Sequence, residues 1–566
     1  MKTICLAALC CCLITPVFSQ SRYAVVIHEI MVDPSPPVSL PSNEWIELRN
    51  RSSLPISLGG WHIADDAGQS SAFSAFTLEP DSLVIVCSNG SAAAMAAYGR
   101  VLPVGGFPSL DNEEGILSLI APDGTVVHAL RYSSSWHVNE LKRQGGWSLE
   151  MIDANSPCMG RVNWTSSMGA SGGSPGSPNT AEMHNPDEAP PRLLQSINRD
   201  ERSIVLQFDE PVDDLSAMDA GNYSMDGIGI VRAVVGGPLF DQVELHLSAP
   251  LDSNTIYTIK VKGIRDCAGN LMEMEEVRVG IASEPQVGQL IINEILFNPR
   301  PDGFDYVEVY NKGPSIIDAS AIFIANRNAS GAVASTQAIA ATPRYIYPGD
   351  HFVVTPDPDN LARQYFVKYP MQVLRVSLPS YPDTGGYVLL LDRQGNILDE
   401  VHYKDDWHFK LLNDPEGVAL ERIDPGRGSN EASSWHSAGA SVGYGTPTDR
   451  NSQWMDSHSI GAAIEIDPPV FSPDGDGQND LAAIRFRMDE PGYVANVLIF
   501  DANGRCVRRL ARNILLGDAG YLTWDGLSDA GARLSAGIYV VWVEVFNLLG
   551  KTRSWKKTVV LGRGRV

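Results

Sequence analysis

The sequence is short of basic residues, and this shortage excludes one large class of partner. The chain has 43 Lys and Arg residues against 67 Asp and Glu residues, a formal net charge of −24 over 566 residues. A surface that binds nucleic acid or an anionic membrane needs a basic footprint to neutralise phosphates. We therefore expect no nucleic-acid partner, whereas calcium, cationic partners or simple solubility outside the cell suit this charge.

Long apolar runs are missing after the N-terminus. Residues 1–19 contain one lysine, an apolar run from Ile4 to Phe18, and the small residues Val17 and Ser19 before Gln20, a pattern typical of a cleaved secretory signal. No later stretch is long and apolar enough to cross a bilayer. We expect the mature chain to be secreted or held at the outer cell surface, without a transmembrane segment.

Paired cysteines are scarce as well. Four of the eight cysteines precede residue 20, and the other four, Cys87, Cys158, Cys267 and Cys506, are scattered without CxxC or metal-ligand spacing. Whether Cys87 and Cys158 form a disulfide is left open by the sequence.

Helical periodicity is also rare. Short β-branched or aromatic runs, such as SLVIVCSNG, IVLQFDEP and YVVWVEVFN, are punctuated by Gly, Pro, Asn and Asp at intervals typical of β-sandwiches. The sequence therefore predicts an all-β chain built of tandem sandwiches.

One series of these strand-like blocks occurs twice, about 270 residues apart and in the same order. Because a fold repeats only when each copy buries its own core, the repeat predicts two duplicated domains. The matching pairs are VVIHEI (25–30) with LIINEI (290–295), EWIELRN (44–50) with DYVEVYN (305–311), Trp136-His137 with Trp407-His408, and LEMID (149–153) with LERID (420–424).

Shifts in composition mark the domain boundaries. Stretches rich in Gly, Ser, Pro or polar residues lie at 169–191, 282–288 and 446–459. The predicted organisation is a signal peptide at 1–19, a first repeat at 20–182, a middle domain at 189–284, a second repeat at 286–450 and a C-terminal domain at 459–566.

The repeated blocks resemble the lamin tail domain, an immunoglobulin-like sandwich that is widespread in exported bacterial proteins. The resemblance lies in HEIMVDP and NEILFNP, in the EWIELRN and DYVEVYN strands, in the PDG and RQG hairpins, and in the closing GSPGSPN and GYGTPTDRN strings. The second copy lacks Trp61 of GGWHIAD, where it reads ASAIFIAN, so we expect the two copies to differ in surface.

The remaining domains resemble other exported modules. LQFDEPVD, GNYS and DCAGN in the middle domain are similar to bacterial immunoglobulin-like spacers. VLIFDANGRCVRRL, LTWDG, AGIY and KKTVV in the C-terminal domain resemble the sorting domains of exported Bacteroidota proteins and the FlgD and Vpr immunoglobulin-like domain. The resemblance of the C-terminal domain to the Bacteroidota sorting domains implies that the type IX secretion machinery recognises this domain.

FSPDGDGQND, at residues 471–480, is the sharpest local motif. Asp474, Asp476, Gln478 and Asp480 place oxygen donors at every second position, and the intervening glycines let the chain curl around one point. Hard oxygen ligands in a flexible loop suit Ca²⁺. The pattern predicts a calcium site, and the alternative is a turn that begins a strand.

Other candidate catalytic groups have simpler structural interpretations. Ser171 and Ser441 lie in G-x-S-x-G strings but lack the strand before and the helix after that a nucleophile elbow requires. Two carboxylate pairs, Glu29 with Glu47 and Glu294 with Glu308, sit inside apolar strands, where hydrogen bonding in the structure explains them better than acid–base catalysis. His137 and His408 are interpreted as packing corners.

We therefore expect a protein without catalytic activity that acts in cell-surface adhesion, scaffolding or display. Its partners would be a protein or glycan at the cell surface, together with secretion machinery that binds the C-terminal domain. The alternative is a carbohydrate-binding or substrate-targeting accessory of an exported hydrolase, in which tryptophans such as Trp61, Trp136, Trp407 and Trp435 stack on sugars.

Overall fold

The computed structural model describes residues 21–253, 255–410, 412, 414–454, 462–473 and 479–563. The chain divides into two compact units, Met1–Val279 and Gly280–Val566. Each unit holds two β-sandwiches, so the predicted all-β class is confirmed. Short 3-10 turns connect strands at Ser134–Trp136, Lys142–Gln144, Gly160–Asn163, Ala220–Asn222, Ala319–Ala321, Pro370–Gln372, Asp405–Trp407, Ala432–Ser434 and Ala440–Val442.

The first sandwich packs a six-stranded sheet, ordered β11-β10-β1-β2-β6-β7, on a three-stranded sheet, ordered β4-β8-β9. Buried residues of both sheets, including Ile27, Leu48, Trp61 and Leu117, form one core. Its elements are β1 (Val25–Met31), β2 (Trp45–Asn50), β3 (Ile56–Ser57), β4 (His62–Ala64), β5 (Thr77–Leu78), β6 (Leu83–Ser88), α1 (Ala92–Met95), β7 (Val101–Val104), β8 (Glu114–Ile120), β9 (Val126–Ser133), β10 (Leu149–Met151) and β11 (Trp164–Ser166).

The middle sandwich packs the sheet β12-β13-β16-β15 against the sheet β14-β17-β18. Alternating burial along β16, as in Val243, Leu245 and Leu247, reflects one face packed on a core and one facing solvent. Its elements are β12 (Leu193–Asp200), β13 (Ser203–Phe208), α2 (Asp214–Ala217), β14 (Tyr223–Met225), β15 (Ile230–Gly236), β16 (Gln242–Leu247), β17 (Tyr257–Val261) and β18 (Glu275–Val279).

The third sandwich repeats the topology of the first, with sheets β26-β25-β20-β19-β29-β30 and β23-β22-β27-β28. Its one added strand, β23, forms an edge of the smaller sheet. The elements are β19 (Leu290–Leu296), β20 (Tyr306–Asn311), β21 (Ile317–Asp318), β22 (Phe323–Arg327), β23 (Val333–Ala338), β24 (Tyr345–Ile346), β25 (His351–Thr355), α3 (Pro358–Gln364), β26 (Val373–Arg375), β27 (Gly385–Leu391), β28 (Ile397–Lys404), β29 (Leu420–Arg422) and β30 (Trp435–Ser437).

The C-terminal sandwich packs the sheet β31-β33-β36 against the sheet β32-β38-β37-β34-β35. Trp524 and Phe471 meet in its core with ring centroids 5.2 Å apart. Its elements are β31 (Ala463–Asp467), β32 (Val470–Phe471), β33 (Ala482–Arg487), β34 (Val494–Phe500), β35 (Cys506–Leu515), β36 (Ala519–Trp524), β37 (Gly537–Phe546) and β38 (Thr552–Leu561).

Strand register shows that the Trp61 difference between the repeats lies in the core. His62 pairs with Ile120, and Phe323 pairs with Leu391, so Trp61 corresponds to Ile322. Both side chains are buried, at 1% and 0% exposure. The expectation that this position changes the surface is therefore wrong. The added edge strand β23, whose side chains are mostly exposed, is where the surfaces differ.

A disulfide joins two domains. Cys158 of the first sandwich is bonded to Cys267 of the middle sandwich, and Cys87 is a free, buried thiol. A Cys87–Cys158 bridge is therefore ruled out, because Cys87 lies within β6 under Met95 and Trp45 while Cys158 packs in the main core. The bond makes the middle sandwich a covalent neighbour of the first.

Other contacts reinforce this junction. The guanidinium of Arg22 forms an ion pair with Asp214, donates to the Val212 carbonyl at 2.9 Å, and stacks 3.8 Å from the centroid of the Phe240 ring. Asn270 Nδ2 donates to the Asp187 carbonyl. The first and middle sandwiches are thus attached by a covalent bond and by polar and cation–π contacts.

None of the helices within the described ranges has the length and apolar character that a membrane crossing requires.

We expect Cys158→Ala to lower the free energy of unfolding of the first unit by about 4 to 5 kcal/mol, because the disulfide closes a loop of 109 residues in the unfolded chain. Urea unfolding of the full chain measures this loss, and a reductant should reproduce it in the wild-type protein. Cys506→Ala is the matched control, since that thiol is free. Equal stability of the Cys158 variant and the wild type would contradict the assignment.

Candidate functional site

A β-bulge in the first strand of each repeat sets up the most polar part of the core. The register between β1 and β2 shifts between Ile27 and Glu29, and between β19 and β20 it shifts between Ile292 and Glu294. The extra residue leaves a backbone N–H without a strand partner. The Ile27 N–H donates to Nδ1 of His128, whereas the Ile292 N–H donates to Oδ2 of Asp399, both at 2.8 Å.

Three carboxylates lie side by side after the bulge of the first repeat. Glu29 is paired with Glu47 on β2 and with Glu150 on β10, and all three side chains are completely buried. They lie under residues 167–183, which we call the first closing segment. This segment has no strand of its own, so its backbone N–H groups need other acceptors.

The carboxylates supply those acceptors. The N–H of Ser174 donates to Oε1 of Glu29 at 2.8 Å, and the N–H of Gly176 donates to Oε2 of Glu47 at 2.5 Å. The Ala181 N–H reaches Oε2 of Glu150 at 2.7 Å. The hydroxyl of Ser174 bridges Glu29 and Glu150. The closing segment is therefore held to the sheet by carboxylates in place of strand pairing.

The second repeat builds the same cluster from Glu294, Glu308 and Glu421, again completely buried. Its closing segment, residues 438–453, donates in the same order. The N–H groups of Thr446, Thr448 and Gln453 reach Glu294, Glu308 and Glu421 at 3.0, 2.7 and 2.8 Å.

One asparagine clamps each closing segment to two strands. Asn179 Nδ2 donates to the carbonyls of His28 and Met151, and Asn451 Nδ2 donates to those of Asn293 and Arg422. The hydrogen-bonding interpretation of the Glu29–Glu47 and Glu294–Glu308 pairs is confirmed. Sequence reasoning missed the third carboxylate, although LEMID and LERID both carry a glutamate directly after the first leucine.

Burial raises the pKa values of these acids. Desolvation raises the pKa of Glu29 to about 8 and that of Glu47 to about 9, with the neighbouring carboxylates adding to both shifts. Burial raises the pKa of Glu294 well above its ordinary value and that of Glu421 to about 7. Three adjacent carboxyl groups that are buried cannot all be ionised, because each charge is poorly solvated and repels the others. Part of each cluster is therefore protonated near neutral pH.

The serines of the G-x-S-x-G strings are not arranged as nucleophiles. Ser171 Oγ donates to the Gly173 carbonyl within the closing segment. Ser441 lies in the 3-10 turn Ala440–Val442, and its hydroxyl has no hydrogen-bond partner among the residues that the structure describes. Among the residues that the structure describes, neither serine hydroxyl has a hydrogen bond to a histidine or a carboxylate that could act as its base.

The repeated Trp–His pairs are packing corners, as interpreted from the sequence. Trp136 packs against Trp164 and Trp407 against Trp435, with ring centroids 6.0 and 6.4 Å apart. Nδ1 of His137 lies 2.8 Å from Ser166 Oγ, and Nδ1 of His408 lies 2.9 Å from Ser437 Oγ. Trp61, Trp136 and Trp435 are buried, which removes them as sugar-stacking platforms.

Two candidate metal groups remain. Asp474, Asp476 and Gln478 of the predicted calcium loop lie outside the described residues, and Asp480 precedes β33. Elsewhere in the described chain, Cys158, Asp187 and Glu210 bring ligand atoms within 4.8 Å of one another. The sulfur of Cys158 is bonded to Cys267, so it cannot serve as a thiolate ligand here.

We expect the stability of the first repeat to fall by several kcal/mol from pH 6.5 to pH 9. The folded state retains protons on Glu29 and Glu47 that the unfolded chain releases above about pH 4.5, so this stabilisation is lost as pH rises through 8 and 9. The pKa of His28 is lowered to about 3, and its opposing contribution ends once the imidazole of the unfolded chain has lost its proton, above about pH 7.5. Urea unfolding of the full chain across this window measures the slope.

Glu47→Gln should flatten this pH dependence, because a carboxamide can occupy the same site without releasing a proton. Glu79→Gln, an exposed substitution in the same sandwich, is the control. An unchanged slope in the Glu47 variant would refute the assignment.

Comparison with known proteins identifies part of this chain. Residues 19–134 match the family model described as Lamin Tail Domain. No curated protein matches the chain. Two solved structures of the bacterial S-layer protein SbsC match, the N-terminal part at 18% identity over 29% of this chain and residues 31–844 at 15% identity over 67%, both with TM-scores of 0.16.

The chain spans only 40% and 55% of the lengths of those two structures. PorZ of Porphyromonas gingivalis, described as an essential bacterial surface component of the type-IX secretion system, matches at 11% identity over 92% of this chain and 74% of its own, with a TM-score of 0.16. Scores at this level carry no functional inference. The family match therefore shows that residues 19–134 are similar to the Lamin Tail Domain model.

Proposed function

We propose that this protein is a non-catalytic, exported β-protein that acts in adhesion, scaffolding or display at the outer cell surface. The observation that carries the proposal is that each repeat is fixed to the sandwich that follows it. In the first unit the Cys158–Cys267 disulfide and the Arg22–Asp214 ion pair make the connection. In the second unit the buried side chains of Phe409, Val494 and Leu515 make it.

Such fixed junctions suit a protein that holds its modules in set positions outside the cell. Inter-domain interfaces otherwise allow relative motion by default. A disulfide between domains also favours an oxidising compartment. In this proposal the residues 286–450 form a second lamin tail domain, and two linked modules bind a surface protein or glycan more tightly together through their effective concentration.

The C-terminal sandwich is the proposed sorting or attachment module, which the type IX secretion machinery would bind. We expect deletion of residues 459–566 to leave the protein in the periplasm of its native host. Fractionation and protease accessibility on intact cells measure its location. Normal delivery of the deleted protein to the surface would overturn this role.

The deletion also uncovers the apolar side chain of Phe409, so it needs a control that separates the two effects. The full-length variant Phe409→Asp/Leu412→Asp disrupts the junction but keeps the C-terminal sandwich. If this sandwich directs export, the full-length variant still reaches the surface. Retention of both proteins would instead assign the defect to the disrupted junction.

We also propose that Asp474, Asp476, Gln478 and Asp480 bind Ca²⁺ at the entrance to the C-terminal sandwich. Added Ca²⁺ should raise the thermal midpoint of the full chain by several degrees, and a chelator should reverse the rise. Mg²⁺ is the control cation, and Asp474→Asn/Asp476→Asn should abolish the response. A midpoint that Ca²⁺ does not change in the wild type would refute the site.

A further inference from the structure

The C-terminal sandwich has an open cavity on the solvent side of its smaller sheet, β31-β33-β36. In the central strand β33, Ile484 and Phe486 are buried in the core, whereas the alternating Arg485 and Arg487 are exposed. The cavity lies over this exposed side and has a volume of about 300 Å³. This volume is at the lower end of the range for sites that bind small molecules.

Strand register arranges the side chains of the cavity in two rows across the sheet. The rows are Ala463–Arg487–Ala519 and Glu465–Arg485–Tyr521. Neighbouring strands lie about 4.8 Å apart, so each row is about 10 Å wide. The two alanines leave space on both sides of Arg487, and the longer side chains of the second row form a wall. We call this set of six residues the Arg487 groove.

The two arginines of the groove differ in their partners. Nη2 of Arg485 lies 3.2 Å from Oδ2 of Asp467, which neutralises part of its charge. Within the described chain, the guanidinium of Arg487 has neither an ion pair nor a hydrogen bond. A guanidinium is planar and binds the two oxygens of a carboxylate at once. Arg487 is therefore available to bind an anion between the two alanines.

The other groups of the groove narrow the chemistry of this anion. Tyr521 is 58% exposed, so its ring offers a flat apolar face with a polar hydroxyl at one end. Glu465 is exposed at the opposite end of the same row. A carboxylate accepts hydrogen bonds from hydroxyl groups and repels a second negative charge. A sugar ring with one carboxylate fits these groups better than an acidic peptide or a phosphate dianion does.

The charge of the C-terminal domain also suits an anionic ligand. Residues 459–566 contain 12 acidic and 13 basic residues, whereas the whole chain contains 67 and 43. An acidic polysaccharide is repelled by a surface with a large excess of negative charge. This domain is free of that excess, so an acidic polysaccharide can approach it.

We propose that the Arg487 groove binds a sugar residue that bears a carboxylate, a uronic acid of an acidic polysaccharide. Arg487 binds the carboxylate, Tyr521 packs against the C–H face of the sugar ring, and Glu465 accepts hydrogen bonds from its hydroxyl groups. The site goes beyond the proposed function, because binding of this sugar requires neither export nor the sorting role of the domain.

Affinity electrophoresis of the full chain tests the proposal, with polygalacturonate or alginate in the gel and a chelator that prevents calcium from bridging the anions. We expect at least one of these polyuronates to retard the wild type, and a neutral galactan to leave its mobility unchanged. Arg487→Ala should weaken binding about tenfold, because the carboxylate loses its charged donor. Arg512→Ala, an exposed arginine on the other sheet of the same sandwich, changes the charge equally and should bind like the wild type.

Filling the groove tests its shape separately from its charge. Ala519→Leu places a larger side chain beside Arg487 and should also weaken binding. Thr523→Leu, on the same exposed side of β36 but outside the groove, should not. Tyr521→Ala should weaken binding and Tyr521→Phe should retain it, because the ring face makes the contact. These side chains are exposed, so each variant should keep the thermal midpoint of the wild type.

Polyglutamate distinguishes a sugar acid from an acidic peptide. We expect it not to displace the bound polyuronate at an equal concentration of carboxylate, because it lacks the hydroxyl groups and the ring. Displacement would assign the groove to acidic peptides and would overturn the proposal. It is also overturned if neither polyuronate retards the wild type, or if Arg487→Ala and Ala519→Leu leave the retardation unchanged.

Discussion

The rest of each repeat depends on burying three carboxylates beneath a segment that forms no strand. A peptide chain laid over a sheet must satisfy its backbone N–H groups, and the acceptors available at this position are fully buried side chains. Glu29, Glu47 and Glu150 accept those bonds in the first repeat. The arrangement substitutes acidic side chains for a strand ladder. Burial removes Glu29 and Glu47 from solvent and so raises their pKa values, and the neighbouring carboxylates add to both shifts.

The two repeats solve one local problem within this arrangement in different ways. The bulged N–H is accepted by neutral His128 in the first repeat and by Asp399 in the second. A buried aspartate needs compensation, and Arg422, which is 1% exposed, lies 3.3 Å from it. Arg422 also donates to the Ile292 carbonyl. Met151 of the first repeat occupies the position of Arg422. Neutral His128 requires no cation, so an apolar residue is tolerated there.

Much of the fold follows from the sequence, because the order of strand blocks and the acids within them survive duplication. The all-β class, the Glu29–Glu47 pairing and the Trp–His corners needed only the recurrence of short motifs. Glu150 was missed because the repeat of LEMID shows that the strand is duplicated but not that Glu150 is paired with Glu29 in the sheet. The Cys158–Cys267 bond depends on how two domains are placed, and the burial of Trp61 depends on strand register. The spacing of residues along the chain reveals neither.

The two units connect their domains by different means, although their repeats are duplicates. A repeat offers one apolar face beside its closing segment, and the second repeat uses this face to hold the next sandwich through Phe409. The first repeat attaches its neighbour through Cys158 instead, on a part of the domain that leaves Val138 exposed. A covalent bond can replace an apolar interface in holding two sandwiches together, since it removes the entropy of separation. The disulfide therefore holds the first repeat to its neighbour while Val138 stays exposed.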